Sequence, residues 1–142
     1  MAVWQFQSYI IPSDNIDIVN NEDNAVSWHD RKIENISVNF LPLGKSWSKD
    51  IVIYGNVEET CFELLYDDKA LVEISCRLDL RSLTKSLLHN VINYVQSING
   101  FFFYKGKSYP PNYKEIVNLL KESDANRWCE NPAGFIQSLN VE

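Results

Sequence analysis

The sequence contains little glycine and little cysteine, and these shortages exclude several kinds of site. Among its 142 residues are only five glycines and three cysteines. Glycine-rich phosphate loops and the motifs of zinc proteases, α/β-hydrolases and EF-hands are absent. The cysteine number is odd and no spacing suits a zinc site, so we expect reduced thiols, with Cys76 buried. The sequence therefore predicts neither a metal nor a cofactor.

Clusters of basic residues and long apolar runs are missing as well. The net charge is −6 and the isoelectric point is about 4.9. A nucleic-acid-binding surface needs a basic footprint, so we expect no nucleic acid, and the charge favours a basic protein as partner. No apolar run approaches the roughly 20 residues of a membrane-spanning helix, and the first residues do not resemble a signal peptide. We therefore expect a cytoplasmic protein without membrane association.

Apolar and aromatic residues are abundant. They make up 45% and 13% of the chain, which is enough to build a packed core. The length suits one domain over residues 1–142, and no repeat or linker divides it. Alternation and β-branched or aromatic content predict strands, at 4–11, 51–55, 59–67, 70–81 and around 101–109. The segment 32–43 is ambiguous between a strand and irregular structure.

The stretch ALVEISCRLDLR at 70–81 has one wholly apolar side and one polar, charged side. A short polar loop, Asp68–Ala70, precedes it and predicts an antiparallel hairpin. In that register Glu59 lies opposite Asp79, and Arg77 with Arg81 relieves the repulsion. We interpret the polar side as an ion-paired ladder opposite two glutamates of the preceding strand. Contact with a partner through this flat sheet face is the alternative.

Two longer segments have the apolar spacing of helices. The first begins with Ser82 as N-cap and ends at Gly100, and the second covers 112–123. A closing helix is predicted to start at Pro132, with Asn131 as its cap. The expected fold class is α+β. It consists of a mainly antiparallel sheet of four to six strands, two principal helices on its apolar face and a short C-terminal helix.

The histidines are the first candidates for acid–base chemistry. His89 lies at the margin of the first helix and is predicted to be a boundary residue. His29 is next to Asp30, but neighbours in sequence seldom orient each other and no nucleophile motif accompanies them. We therefore expect no enzyme. An enzyme whose site combines His29 with a distant carboxylate is the alternative.

The tryptophans point to packing or to contact with a partner. Trp4 is expected in the core as part of its strand. Trp28 and Trp47 stand in polar, turn-rich surroundings, where a tryptophan either anchors a loop or contacts a partner. Loop anchoring is the favoured interpretation for both.

The order of features resembles that of small bacterial immunity proteins, which accompany polymorphic toxins. The resemblance rests on the aromatic strand at 4–11, on RLDLR running into an amphipathic helix, and on NPAGFIQSL near the C-terminal end. It implies a cytosolic protein that binds a cognate toxin domain, often a basic nuclease, and occludes its active site. It identifies no binding residue, because these proteins use different surfaces for different toxins.

Stoichiometric inhibition by an acidic surface with aromatic anchors is the function that we predict. Complementary charge gives such an inhibitor its on-rate and specificity. The predicted contact residues are Trp47, Tyr54, Glu58, Glu59, Asp67 and Asp68. A general interaction or adaptor domain that self-associates through a sheet edge is the alternative.

Overall fold

The computed structural model describes residues 4–13, 28 and 36–128, the last two of these by their backbone alone. It contains a six-stranded antiparallel sheet with the strand order β2-β3-β4-β1-β5-β6. The strands are β1 Gln5–Pro12, β2 Ile51–Gly55, β3 Cys61–Asp67, β4 Ala70–Asp79, β5 Gly100–Tyr104 and β6 Lys107–Tyr109. The helices are α1 Lys85–Ser97, α2 Tyr113–Glu122 and the short α3 Asp124–Trp128. The predicted α+β fold is confirmed.

The core lies between one face of the sheet and the helices α1 and α2. The apolar side of β4 pairs with apolar residues of β1 across the sheet, as Phe6 does with Leu78 and Ile10 with Ile74. The helices cover this face with stripes at helical spacing. Their buried residues are Leu88, Val91, Ile92, Tyr94 and Val95 in α1, and Ile116, Val117, Leu119 and Leu120 in α2.

Among the tryptophan side chains that the structure describes, Trp28 lies in the core and Trp4 does not. The Trp28 side chain is only 2% exposed, and its Nε1–H donates to the Ile10 carbonyl at 2.7 Å. Its backbone N–H donates to the Val72 carbonyl at 3.0 Å. Trp4 precedes the first paired residue of β1 and is half-buried, with the Arg81 guanidinium 3.8 Å above its ring. The prediction of Trp4 as a core residue is therefore wrong, whereas Trp28 is held against the sheet, as the anchoring interpretation predicts.

The β3–β4 hairpin has the predicted register in its centre and a different turn. Glu63 faces Ser75, but Asp67 pairs with Ala70, so the turn has two residues instead of three. A shift in the pairing after Leu65 connects this shorter turn to the predicted register. At the other end β3 starts only at Cys61, so the predicted contact of Glu59 with Asp79 does not form.

The first helix is shorter than predicted at both ends. Thr84 is its N-cap, because the Thr84 hydroxyl accepts from the Leu87 N–H at 3.1 Å. The Ser82 N–H already donates to the Asp79 carbonyl in a turn, which places Ser82 outside the helix. At the other end Asn99 has a φ of 56° and stops the helix, so Gly100 begins β5. The helix predicted from Pro132 lies outside the described residues.

Candidate functional site

Three large apolar side chains are exposed in the described part of the chain, and two of them, Leu43 and Trp47, lie at the β2 edge of the sheet. Trp47 is 80% exposed, Leu43 72% and Val57 40%. Trp47 comes before the first residue of β2, Leu43 lies opposite Tyr54 within it, and Val57 follows its end. Leu43 and Trp47 line one cleft with Ile51, Val52 and Ile53 of β2 and form a short row, which we call the β2 edge surface. Val57 lies apart from them in the loop after β2, where its carbonyl accepts hydrogen bonds from Gln5 of β1 and Arg77 of β4.

The backbone beneath Leu43 is fixed to the sheet. The Gly44 N–H donates to the Ile53 carbonyl at 2.7 Å, and the Gly55 N–H donates to the Pro42 carbonyl at 2.7 Å. The end of the ambiguous segment 32–43 thus joins the sheet through a single bridge. This arrangement covers part of the β2 edge with backbone and leaves the Leu43 side chain in solvent.

The loop that carries Trp47 is held by its serines. The Ser46 hydroxyl donates to the Ser48 carbonyl at 2.6 Å and accepts from the Ser48 N–H at 3.2 Å. Two exposed lysines, Lys45 and Lys49, flank Trp47. The exposure of Trp47 contradicts the favoured loop-anchor interpretation and leaves the contact interpretation. The charges beside it are positive, in contrast to the predicted acidic surroundings.

Beyond the other end of β2 the chain forms an acidic loop, residues 56–60. Gly55 opens it with a φ of +94°, and a Cβ there would lie 2.3 Å from the Thr60 carbonyl oxygen, so only glycine fits. The Asn56 side-chain oxygen accepts from the Glu58 N–H at 2.9 Å, and the Asn56 carbonyl accepts from the Glu59 N–H at 2.9 Å. Both glutamates are exposed.

Side chains from β1 and β4 hold the carbonyls of this loop. Gln5, itself buried, donates from Nε2 to the carbonyls of Val57 at 3.0 Å and Glu59 at 2.6 Å. The Trp4 indole N–H donates to the Glu58 carbonyl at 3.3 Å. A loop with its carbonyls fixed loses little conformational entropy when a partner binds. Sequence reasoning missed Gln5, because nothing in its own segment shows which loop lies beside it.

The arginines on the polar face of β4 and just after it form ion pairs with carboxylates other than that of Glu59. Arg77 lies 3.3 Å from Glu63, and Arg81 contacts the buried Asp79 at 3.0 Å. The predicted ladder is thus two separate ion pairs, with Glu59 in neither. Among the described residues, neither glutamate of the acidic loop forms a side-chain ion pair.

The predicted contact residues fall on two parts of the molecule. Glu58 and Glu59 adjoin Val57 in the acidic loop, whereas Asp67 and Asp68 lie at the opposite end of β3, about 20 Å away along the strand. Tyr54 is half-buried and packs against the core cluster. The structure therefore does not bring the four acids together.

A groove lies between the acidic loop and the start of α1. Its volume is about 480 Å³. Its lining includes the apolar residues Leu41, Pro42 and Leu87 and the polar residues Glu59, Thr60 and Ser82. The groove therefore has an apolar wall and a carboxylate at its rim.

The two described cysteines, whose pKa values are raised, do not line the groove. Burial raises the pKa of Cys61 to about 11 and that of Cys76 well above its usual range, so neither thiol is an activated nucleophile at neutral pH. The predicted boundary position of His89 is confirmed, since it is half-buried and its ring stacks on Tyr113 with 4.2 Å between centroids. His29 lies outside the described ranges.

Within the described ranges no three His, Cys, Asp or Glu side chains are placed to hold a metal ion. None of the three described helices has the length and apolar character needed to cross a bilayer. Comparison with protein-family models, with curated proteins and with solved structures found no match. The function is therefore inferred from the surface of the molecule.

Proposed function

We propose that this is a non-catalytic binding protein that engages a protein partner along the β2 edge surface. The observation that carries the proposal is the exposure of Leu43 and Trp47, two large apolar side chains that line one cleft beside β2. Tryptophan is enriched among the residues that dominate binding energy at interfaces. Burial of a large apolar side chain contributes about 2 kcal/mol or more.

Charged residues of opposite sign lie at the two ends of β2. Glu58 and Glu59 follow Val57, and Lys45 and Lys49 flank Trp47. Such a pattern selects the orientation of a partner and raises the association rate. The hydrogen bonds beneath Leu43 and within the acidic loop hold the surface in one conformation, so little ordering cost opposes binding.

The partner in this proposal is a bacterial toxin domain, which the protein neutralises in the cytoplasm by one-to-one binding. The resemblance to immunity proteins supplies this part, and the acidic loop suits a toxin with a basic surface. An immunity protein needs no catalytic residues of its own, because occlusion of the toxin suffices.

Calorimetry with the toxin domain encoded beside the gene tests the proposal. We expect a one-to-one complex that Trp47→Ala weakens by about 2 kcal/mol, or about 30-fold in Kd. Asn118→Ala, at an exposed position of α2, serves as the matched control and should bind as the wild type does. Absence of a complex, or equal affinity of both variants, would overturn the proposal.

Self-association through the same row is the second candidate, and the exposure of Leu43 and Trp47 favours it. Sedimentation of the protein alone distinguishes the two functions. A dimer that Leu43→Ser with Trp47→Ser converts to a monomer would support a self-associating domain. A monomer at all concentrations would exclude it.

A further inference from the structure

The groove beside the acidic loop has one charged side chain among its described lining residues, Glu59. The apolar wall opposite consists of Leu41, Pro42 and Leu87. An apolar wall ending at a carboxylate suits a long side chain with an aliphatic stem and a cationic head. The volume of about 480 Å³ lies in the range of ligand-binding clefts.

No described cation of the protein neutralises Glu59. Arg77 and Arg81 are the basic residues of the adjoining strand end, and they pair with Glu63 and Asp79. The Glu59 carbonyl accepts a hydrogen bond from Gln5, which holds the backbone that carries this carboxylate beside the groove. A carboxylate without an ion pair to the described residues is complementary to a cation from outside.

We propose that this groove receives an arginine side chain of the protein partner. The guanidinium would pair with the Glu59 carboxylate in a two-pronged hydrogen-bonded contact, which arginine forms better than lysine. The stem would lie along Leu41, Pro42 and Leu87. The identity of the partner rests on the proposed function, but binding of an arginine side chain is measurable without the partner.

A titration of the isotope-labelled full chain with the tripeptide acetyl-Gly-Arg-Gly-amide, followed by NMR, tests the groove. We expect saturable shifts of the amide signals of Glu59, Thr60 and Ser82. The same tripeptide with citrulline, which has the shape of arginine without its charge, is the control and should leave these signals in place. Equal shifts with both peptides, or shifts elsewhere only, would overturn the proposal.

Two variants with the same change in net charge sharpen the test. Glu59→Gln should weaken tripeptide binding by about threefold, the effect of one exposed ion pair. Glu58→Gln removes a neighbouring charge that does not line the groove and should leave the affinity unchanged. Equal weakening by both would show a general electrostatic effect and would refute the assignment to Glu59.

The outcomes separate this inference from the proposed function. If the toxin domain binds and Trp47→Ala weakens it, but the tripeptide does not shift the groove signals, the binding function stands and the arginine site fails. If the tripeptide binds in the groove and no toxin complex forms, the arginine site stands and the toxin partner is excluded.

Discussion

At the scale of single residues, Trp28 is hydrogen-bonded to two central strands of the sheet. Its indole N–H donates to a carbonyl of β1 and its backbone N–H to a carbonyl of β4. The acceptor on β4, Val72, has no residue opposite it on β3, because the register shift falls there. The irregularity in the hairpin thus leaves the Val72 carbonyl available to Trp28.

Replacement of two tryptophans should therefore give opposite results. Trp28→Ala should reduce the free energy of unfolding by about 3 to 5 kcal/mol, through lost burial and a cavity. Trp47→Ala, at a side chain 80% exposed, should change it by less than about 0.5 kcal/mol. Urea unfolding followed by circular dichroism measures both. A large loss in the Trp47 variant would mean that this side chain supports the fold and would remove it from the contact surface.

Glu73 should make stability depend on pH. Burial, and then the neighbouring Glu63 carboxylate, raises the pKa of Glu73. The folded chain thus holds this proton more tightly than the unfolded chain, so the contribution of Glu73 favours folding at acidic pH and is lost as pH rises through the raised pKa. Glu73→Gln should therefore raise the urea concentration at the unfolding midpoint at neutral pH. This difference from the wild type should vanish at about pH 4.

A second glutamate provides the control for this titration. Glu122 is exposed at the end of α2, and Glu122→Gln should leave the midpoint unchanged at neutral pH. A loss of stability in the Glu73 variant would show that its ionised form is stabilised by the fold, contrary to the direction of the shift.

At the scale of elements, the two hairpin turns share a backbone conformation and differ in sequence. In the β3–β4 turn Asp68 and Lys69 have φ values of 51° and 68°. In the β5–β6 turn Lys105 and Gly106 have 49° and 79°. Positive φ at both central residues is the turn that suits the twist of hairpins, and glycine is preferred at its second position. The β3–β4 turn lacks that glycine.

Replacement of the second central residue should have opposite effects on stability in the two turns. Lys69→Gly should increase the free energy of unfolding by about 0.5 kcal/mol, because the left-handed conformation strains lysine. Gly106→Ala should decrease it by about 1 kcal/mol, through backbone strain alone, since a Cβ there meets nothing within 4 Å. Thermal unfolding of both variants measures the effects. Destabilisation by Lys69→Gly would indicate that the lysine side chain stabilises the turn.

The elements themselves follow from the sequence, and several of their ends do not. Alternation predicts β2 with its observed bounds and the central register of the β3–β4 hairpin, because a slip by one residue would bury charges. The ends depend on tertiary hydrogen bonds. The Thr60 hydroxyl accepts a hydrogen bond from the Asp79 N–H at 3.0 Å, whereas the sequence predicts a longer β3 in which Glu59 pairs with Asp79.

The sequence predicts which types of residue form the candidate site, but it does not predict how they are arranged. A tryptophan between polar turn residues indicates exposure or anchoring, and the neighbours of Trp28 and Trp47 do not distinguish the two. The support of the acidic loop by Gln5 depends on β1 lying next to β4. The order of the strands in the sheet determines that adjacency. The alternation of apolar and polar residues along one strand does not reveal this order.

At the scale of the whole molecule, net charge and the β2 edge surface act together. The net charge is −6 at pH 7 and falls to zero near an isoelectric point of about 4.9. Repulsion between copies disappears there, and exposed apolar side chains then promote association. The exposed row should therefore determine how the protein behaves near its isoelectric point.

Light scattering as a function of pH should show association that is maximal near the isoelectric point. Leu43→Ser combined with Trp47→Ser should reduce it, since the pair removes apolar area without a change in charge. Asn90→Ser combined with Asn118→Ser, at exposed helix positions, is the control and should associate as the wild type does. Equal association of both double variants would show that a different surface is responsible.

The position of β1 has a consequence for the order in which the chain can fold. β1 is the first strand in sequence, yet it lies inside the sheet, between β4 and β5. Its pairings join residues 5–12 to residues 74–79 and 100–103, whereas the hairpins β2–β3–β4 and β5–β6 join strands that are close in sequence. Pairings distant in sequence are slow because loop closure costs entropy before contacts repay it. Completion of the sheet thus depends on β1 pairing with two strands that are both distant from it in sequence.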